Sequence, residues 1–304
     1  MVSRLHACSF AVFALLCITL WLSSATAVLA QQTDSIQAQT FPPQRWVVET
    51  NDGSVFQGTY LGQSEAGIRL LTESAGEITI PMSAVKNFRI LNERNFRNGV
   101  YWFENPNATR YLFAPSAYSL RKGEAYYQNT YLVLNSFNYG VTDRFTIGAG
   151  FELISTFSGE PIFFITPKYT FPISENWNAG AGVLYANSAI EDFSGLGIGY
   201  GIVTYGNRDN NVTLGVGFGY VDDEVSGEPV INLSGMKRIG RKVALVSENW
   251  FVPAEGYYGV YSYGLRFMGE KITVDFAFLN NPDIASEIVF IGVPYVDFVV
   301  KFGK

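Results

Sequence analysis

The chain has 304 residues, a formal net charge of −6, 48% hydrophobic residues, 15% aromatic residues and 30 glycines. A net negative charge without a basic stripe argues against nucleic acid as a partner, because phosphate binding requires concentrated lysine and arginine. After the first 30 residues no apolar run approaches the roughly 18 to 20 residues of a membrane helix, which excludes a helical membrane protein.

The N-terminal residues 1–30 predict a secretory signal peptide. A charged start is followed by an apolar stretch and by a small-residue cleavage site at Ala30. Both cysteines, Cys8 and Cys17, and the only histidine, His6, lie inside this segment. We therefore expect a mature chain without disulfides, thiolate metal sites or imidazole chemistry, and we predict neither a metal nor a cofactor.

Residues 45–91 predict a small, separate all-β domain. Short alternating strands are broken by turn signals at Asp52-Gly53, Ala66-Gly67 and Ala75-Gly76, and Pro81-Met82-Ser83-Ala84 forms a compact turn before the last strand. This spacing resembles SH3-like or Sm-like β domains. Sm-like domains can bind RNA, but this segment carries four basic and five acidic residues, so we expect no nucleic acid. Residues 31–44 are predicted to be a flexible tether and residues 92–108 a linker.

The remainder of the chain alternates with a period of two, which is typical of β-strands. In 212–221 the bulky residues are separated by Gly215, Gly217 and Gly219. A soluble sandwich would carry many charges on its solvent face, whereas a barrel in lipid places bulky residues outside and small or polar residues in the lumen. Closure also satisfies the backbone hydrogen bonds of every strand. We therefore predict a transmembrane antiparallel up-and-down β-barrel over residues 109–304.

Turn signals divide this region into about twelve strands. They lie near 109–117, 123–137, 144–155, 160–171, 176–189, 195–206, 211–222, 228–239, 241–252, 258–268, 271–280 and 288–302. Five connections are tight, around residues 140–143, 174–176, 207–210, 239–241 and 269–270. With an even strand count both chain ends lie at the tight-turn end, which in such barrels is the periplasmic end.

Aromatic residues at both predicted rims favour a bilayer as the surroundings. At the tight-turn rim the outward aromatics are Phe145, Phe171, Trp177, Phe267 and Phe302, and at the other rim they include Phe163, Tyr185, Tyr220, Phe278 and Phe290. Two aromatic girdles are typical of outer-membrane barrels, although aromatic residues also favour strand ends in general.

The stretch "NPNATRYLFAPSAYSLRKGEAYYQNTYLVLNSFNYGVTDRFTIGAGFELI" (105–154) resembles outer-membrane β-barrel proteins of Gram-negative bacteria, a class more than one family. The resemblance implies residence in outer-membrane lipid, with residues 31–108 in the periplasm. It also implies insertion by the barrel-assembly machinery, and it implies no activity. Many such barrels end on an aromatic residue, whereas this chain ends Phe302-Gly303-Lys304.

Strand parity places seven charged side chains in the lumen. These candidates for lumen-lining charges are Glu152, Lys168, Glu248, Arg266, Asp275, Asp297 and Lys301. If they line water, loss of a cation such as Arg266 shifts ion selectivity towards cations with little loss of stability. If they form a buried network that plugs the barrel, the same loss destabilises the fold. Paired carboxylates could also act in catalysis, but we favour a structural or channel-lining network.

Three functions follow from this architecture. Twelve strands enclose a lumen between that of filled eight-stranded barrels and that of wide sixteen-stranded pores, which favours a narrow pore or transport channel for small solutes. The alternative is a non-conducting structural or partner-docking barrel whose 45–91 domain recruits a periplasmic protein. A histidine-independent enzyme is the third possibility, and we predict that the protein is not an enzyme. Inward glycines either widen the lumen, or let neighbouring strands curve and large side chains from across the barrel fill it.

Overall fold

The computed structural model describes residues 44–91, 95–97, 100–188, 195–221, 224–253, 256–283 and 291–303. The predicted signal peptide, residues 31–43 of the predicted tether and Phe290 of the outer aromatic rim lie outside these ranges. The chain divides into two compact units, Met1–Arg94 and Asn95–Lys304. Within the described ranges, no helix has both the length and the apolar character needed to cross a membrane.

The first unit contains one antiparallel sheet. Its strands are β1 (Arg45–Thr50), β2 (Val55–Ser64), β3 (Gly67–Thr72), β4 (Gly76–Ile80) and β5 (Val85–Ile90), in the order β4-β3-β2-β1-β5. A 3-10 turn at Met82–Ala84 precedes β5. The core consists of Val48, Ile68, Leu70 and Ile80, which alternate with exposed positions because successive strand residues point to opposite faces.

The second unit is a closed antiparallel barrel. A two-stranded ribbon, β6 (Phe96–Arg97) and β7 (Val100–Tyr101), comes first. The wall consists of β8 (Ala125–Thr130), β9 (Leu134–Gly140), β10 (Phe145–Glu152), β11 (Ile162–Ile165), β12 (Lys168–Pro172), β13 (Trp177–Ser188), β14 (Leu196–Gly206), β15 (Asn210–Val221), β16 (Glu224–Arg238), β17 (Val243–Pro253), β18 (Tyr257–Met268), β19 (Ile272–Asn280) and β20 (Val293–Phe302). β11 and β12 both pair with β10 and β13 and form one wall strand, interrupted at 166–167, so the barrel has twelve strands.

Pairing of the last strand with the first closes the wall. Phe302 of β20 pairs with Ala125 of β8, which places both ends of the wall at one rim. The five predicted tight turns are confirmed at this same end, each closed by a backbone hydrogen bond, as between Val141 and Phe145 or Asn207 and Asn210. On the opposite side, the short helix α1 (Leu153–Ser158) follows β10.

Side chains of the wall strands point alternately out of the barrel and into the lumen, as predicted. Along β15, Val212, Leu214, Val216 and Phe218 are 42–52% exposed, whereas the residues between them are buried. The exposed positions are apolar because they form the outer surface of the barrel. The lumenal positions are small or polar, as a lipid-facing barrel requires.

The predicted first strand, 109–117, is wrong. Residues 103–120, which we call the inner segment, cross the lumen, and all of them except Glu104, Phe113 and Pro115 are buried. Part of the predicted linker 92–108 therefore belongs inside the barrel. Turn signals alone placed this strand, because residues 109–117 show no regular alternation of buried and exposed positions.

The predicted strand 123–137 is also wrong, because it is two strands, β8 and β9. Tyr131 and Leu132 form the turn between them with φ values of 55° and 65°. This left-handed conformation usually requires glycine or asparagine, so the sequence carries no turn signal at this point. The predicted number of twelve strands is still correct, because one predicted strand is absent from the wall and another is in fact two strands.

The barrel wall is not equally high all round. β8 and β9 have 6 and 7 residues, whereas β16 has 15. Each strand residue adds about 3.3 Å, and β8 begins at the tight-turn rim, so the wall is low at its other end. We call this place, residues 131–133, the low rim.

Inward glycines make room for large neighbouring side chains. A Cβ at Gly182 would lie 2.5 Å from the hydroxyl of Tyr200, and one at Gly150 would collide with the ring of Phe164. The space beside these glycines is therefore filled, but by side chains of adjacent strands and not, as predicted, from across the barrel.

Candidate functional site

The inner segment forms a small hairpin in the lumen. The Tyr111 N–H donates to the Ala114 carbonyl at 2.8 Å, the Ser116 N–H donates to the Thr109 carbonyl at 3.1 Å, and Arg110 bridges to Pro115. Its buried backbone groups need partners because they are removed from water. Those partners are side chains on the surrounding wall, including three of the seven predicted lumenal charges, Lys168, Glu248 and Arg266.

Glu248 of β17 binds the tip of the hairpin. One carboxylate oxygen accepts three backbone N–H groups, those of Leu112, Phe113 and Ala114, each at 2.9 Å. The other oxygen accepts from the indole of Trp250 at 2.7 Å. Glu248 is 1% exposed, so these four donors replace its hydration.

Arg266 of β18 binds the inner segment from another side. Its guanidinium makes a bidentate pair with its cross-strand neighbour Asp275, with both bonds at 2.7 Å. The remaining N–H groups donate to the carbonyls of Asn107, Arg110 and Tyr111 at 2.5, 3.2 and 2.7 Å. Both side chains of the ion pair are fully buried.

A second ion pair joins the inner segment to β20. The Arg110 guanidinium donates to Asp297 at 2.6 Å, and the Tyr295 hydroxyl donates to the same carboxylate oxygen at 2.7 Å. Asp297 and Asp275 are direct cross-strand partners on β20 and β19. Two adjacent carboxylates repel each other, and the two arginines, Arg110 and Arg266, neutralise them.

Lys168 of β12 is the third buried cation. Its ammonium group donates to the carbonyls of Thr109, Ser116 and Tyr118 at 2.9, 2.9 and 2.8 Å. These bonds use all three of its N–H groups and hold the base of the hairpin. No carboxylate is within ion-pair distance of this ammonium group among the described residues.

The other two predicted residues lie elsewhere. Glu152 accepts from the N–H groups of Ile154 and Ser155 at 2.8 and 2.5 Å and caps helix α1 at its N-terminus. Lys301 lies at the tight-turn rim and pairs with Glu124 at 2.8 Å. The structure thus brings five of the seven candidates to the inner segment and leaves Glu152 and Lys301 outside this group.

The sequence interpretation did not identify Arg110, Arg208 and Arg238 as lumenal. Arg208 donates to the carbonyl of Ser119 at 3.0 Å, and Arg238 donates to the carbonyl of Phe103 at 2.8 Å. The predicted set itself indicated a further lumenal cation, because its seven charges comprise four acids and three bases. Nothing in the sequence identified that cation as Arg110.

The buried acids and bases around the hairpin are equal in number, although Lys168 and Glu248 bind backbone groups and form no ion pair among the described residues. Three acids, Glu248, Asp275 and Asp297, face three bases, Arg110, Lys168 and Arg266. Both aspartates are bound by arginine and shielded from water, so the arrangement fixes the inner segment and offers no free carboxylate pair for proton transfer. No cluster of metal-binding side chains is present within the described part of the chain.

A cavity of about 350 Å³ lies beside the hairpin, and its lining runs from Tyr126 and Thr146 near the tight-turn rim to Ala186 towards the opposite rim. The lining combines polar and apolar side chains. The lining residues are Thr109, Arg110, Phe113, Pro115, Tyr126, Gln128, Thr130, Leu134, Ser136, Asn138, Thr146, Ile162, Phe164, Thr166, Lys168, Leu184, Ala186 and Tyr200. The two charged residues of this lining, Arg110 and Lys168, are both cations. We call this space the outer cavity.

The chain is similar in fold to solved barrels at very low sequence identity. KdgM porin matches with a TM-score of 0.40 and 6% identity, over 59% of this chain and 95% of that one. NanC porin matches with a TM-score of 0.37 and 8% identity, over 59% and 97%. Outer membrane phospholipase A from Escherichia coli matches with a TM-score of 0.34 and 10% identity, over 60% and 92%. No protein-family model and no curated protein matches the chain. Similarity at this level says nothing about activity.

Proposed function

We propose that the protein is an outer-membrane β-barrel that its inner segment closes to ions. The observation that carries this proposal is the binding of the segment from separate wall strands. Glu248 of β17, Arg266 of β18 and Lys168 of β12 all bond to its backbone, and all three are buried. Side chains bound in this way do not line an open, water-filled channel, so the non-conducting alternative is favoured.

The outer surface of the wall supports placement in a membrane. Exposed apolar residues alternate with buried ones along β15, β18 and β19, and the closed sheet leaves no unpaired edge. Lipid would cover this surface. The barrel-assembly machinery would insert the protein into the outer membrane. The tight-turn rim, where both ends of the wall meet, would face the periplasm.

Single-channel recording in planar bilayers tests this closure. We expect the refolded parent to give no ordered conductance. A variant lacking residues 103–119 would leave its lumenal charges in water and should conduct. Steady conductance of the parent, unchanged by this deletion, would contradict the proposal.

A narrow transport channel for small solutes is the second candidate. One observation favours it: among the described residues the inner segment has no ladder pairing with the wall, and its only bridge joins Arg110 to Pro115. Displacement of the segment would therefore break side-chain bonds and leave the barrel wall intact.

A reversible lock separates a gated channel from a permanently closed barrel. The hydroxyls of Ser119 and Thr170 are 2.6 Å apart, so cysteines at both positions should form a disulfide. Voltage-induced openings that appear only after reduction would support gating. The absence of openings in both states would leave the closed barrel as the function.

We also propose that the 45–91 domain is SH3-like or Sm-like and recruits a periplasmic protein. The strand order β4-β3-β2-β1-β5, with a 3-10 turn before β5, supports this interpretation. Phe88 and Ile90 of β5 are 45% and 57% exposed and offer a contact surface. Photocrosslinking from Phe88 in intact cells tests it, and Glu73, an exposed residue directly after β3, serves as the control. Equal products from both sites would argue against a specific partner.

A further inference from the structure

We propose that the outer cavity is a binding site for a single-tailed amphipathic anion. The site lies inside the barrel beside the hairpin, and its occupation does not require the barrel to conduct. The inference rests on the proposed function only in placing the barrel in a membrane.

The charge of the lining selects an anion. Lys168 and Arg110 both line the cavity and are 6% and 5% exposed, whereas no carboxylate lines it. Asp297 balances Arg110, but the bonds of Lys168 go to carbonyl groups, so its positive charge is not compensated there. A buried cation without a countercharge is costly, and an anion in the cavity lowers that cost.

Two polar side chains of the lining offer hydrogen-bond donors to the anionic head. The amide of Asn138 donates one hydrogen to Ser136, and the hydroxyl of Thr146 accepts from the Leu120 N–H. The second amide hydrogen of Asn138 and the hydroxyl hydrogen of Thr146 would therefore bond to the head group.

The apolar side chains of the lining suit an apolar tail. Leu134, Ile162, Phe164, Leu184 and Ala186 supply it, next to Phe113 at the tip of the hairpin. Phe113 is 46% exposed although it lies within the barrel, so an apolar ligand would cover it. A volume of about 350 Å³ is at the small end of ligand pockets, which suits one tail and not two.

The low rim gives an apolar ligand access from lipid. Thr130 and Leu134, which flank the β8–β9 turn, both line the cavity. Around this rim Leu132, Ile154 and Phe157 are 74%, 62% and 83% exposed. Large apolar side chains exposed together mark a surface that contacts something other than water.

Binding to the full chain in lipid nanodiscs tests the proposal, with empty nanodiscs as the baseline. The probes are dodecanoate, dodecyl phosphate and dodecyltrimethylammonium, which share a tail and differ in the head. We expect saturable binding of one anion per barrel and no competition by the cation. The two anions distinguish a carboxylate from a phosphate ligand. Equal binding of anion and cation, or no binding above the baseline, would overturn the inference.

A matched pair of substitutions locates the site. Ala186→Trp fills the cavity from β13, and Ala181→Trp makes the same change on the outer face of the same strand. We expect the first to weaken dodecanoate binding by about tenfold or more and the second to leave it unchanged. Equal effects of the two changes would place any binding elsewhere.

Asn138→Leu tests the head-group contact, because it removes the amide donor and keeps the size of the side chain. We expect about fivefold weaker anion binding in a variant that still shows heat-modifiable migration on gels. Binding equal to that of the parent would overturn the assignment of Asn138 to the head group. If this variant does not fold, the tryptophan pair still decides whether the cavity binds the anion.

Discussion

Arg110 donates a hydrogen bond of 2.6 Å to Asp297, and the two side chains are 5% and 0% exposed. Arg110 precedes the first wall strand, whereas Asp297 lies on the last. The pair therefore joins the inner segment to the strand that closes the barrel.

We expect Arg110→Ala to destabilise the barrel by about 3–5 kcal/mol, because it leaves the Asp297 charge buried and unpaired. Urea unfolding from lipid vesicles, followed by tryptophan fluorescence, measures this change. Arg110→Ala combined with Asp297→Ala should cost less than the sum of the two single changes. Additive effects would mean that the pair does not interact.

Arg266→Ala separates the buried network from an open lumen. The substitution removes the partner of Asp275 and three bonds to the backbone of the inner segment. We expect about 3–5 kcal/mol of destabilisation in urea unfolding, and no effect of Lys237→Ala, which alters an exposed cation. Parent-like stability together with cation-selective conductance would instead support the channel-lining interpretation.

Glu248→Gln tests the carboxylate that binds the hairpin tip. The amide keeps the shape of the side chain but loses the charge that strengthens the bonds to Leu112, Phe113 and Ala114. We expect a loss of about 1–3 kcal/mol and faster hydrogen exchange at these three amides. Unchanged exchange at the tip would show that the charge of Glu248 does not hold it.

Val216→Arg tests which face of β15 contacts lipid. Val216 is 42% exposed on the outer surface, and arginine near the middle of a bilayer costs about 2–4 kcal/mol in such barrels. Val216→Leu is the control, because it keeps the site apolar. The folding yield in vesicles measures both variants. Equal yields would show that lipid does not cover this position.

Asp52→Asn tests a pH-dependent contact in the small domain. The hydroxyl of Thr50 and the backbone N–H of Ser54 donate to Asp52, and these bonds lower the pKa of its carboxyl below the usual value. A lowered folded-state pKa gives stability that is present above the unfolded pKa of about 3.9 and is lost as the pH falls through the folded pKa.

We therefore expect Asp52→Asn to lower the free energy of unfolding of the 45–91 domain at pH 7. The difference from the parent should shrink as the pH falls below about 4. Chemical denaturation of the full chain, followed at Trp46 after replacement of the other tryptophans by phenylalanine, measures the difference. A difference in unfolding free energy between the parent and Asp52→Asn that did not change with pH would rule out the charge of Asp52 as its cause.

The sequence alone determined the architecture of the wall, because that architecture depends on local alternation. Val216 points out of the barrel and Gly217 points in, because neighbouring residues of any strand face opposite sides. This alternation needs no contact with the rest of the chain. The same alternation predicted a closed barrel. Turn residues located its five tight connections and predicted twelve strands, a number that is correct although two predicted strands, 109–117 and 123–137, are wrong. It also placed Glu248, Arg266 and Asp275 in the lumen.

Only the tertiary structure decided what fills that lumen. Turn signals placed a wall strand at residues 109–117, yet these residues form a hairpin whose buried backbone is bound by side chains more than 50 residues away, among them Lys168 and Glu248. The turn at Tyr131 and Leu132 lacks glycine and gives no local signal. Whether Arg266 lines water or binds a neighbouring segment depends on contacts across the barrel, because its own strand is compatible with both arrangements.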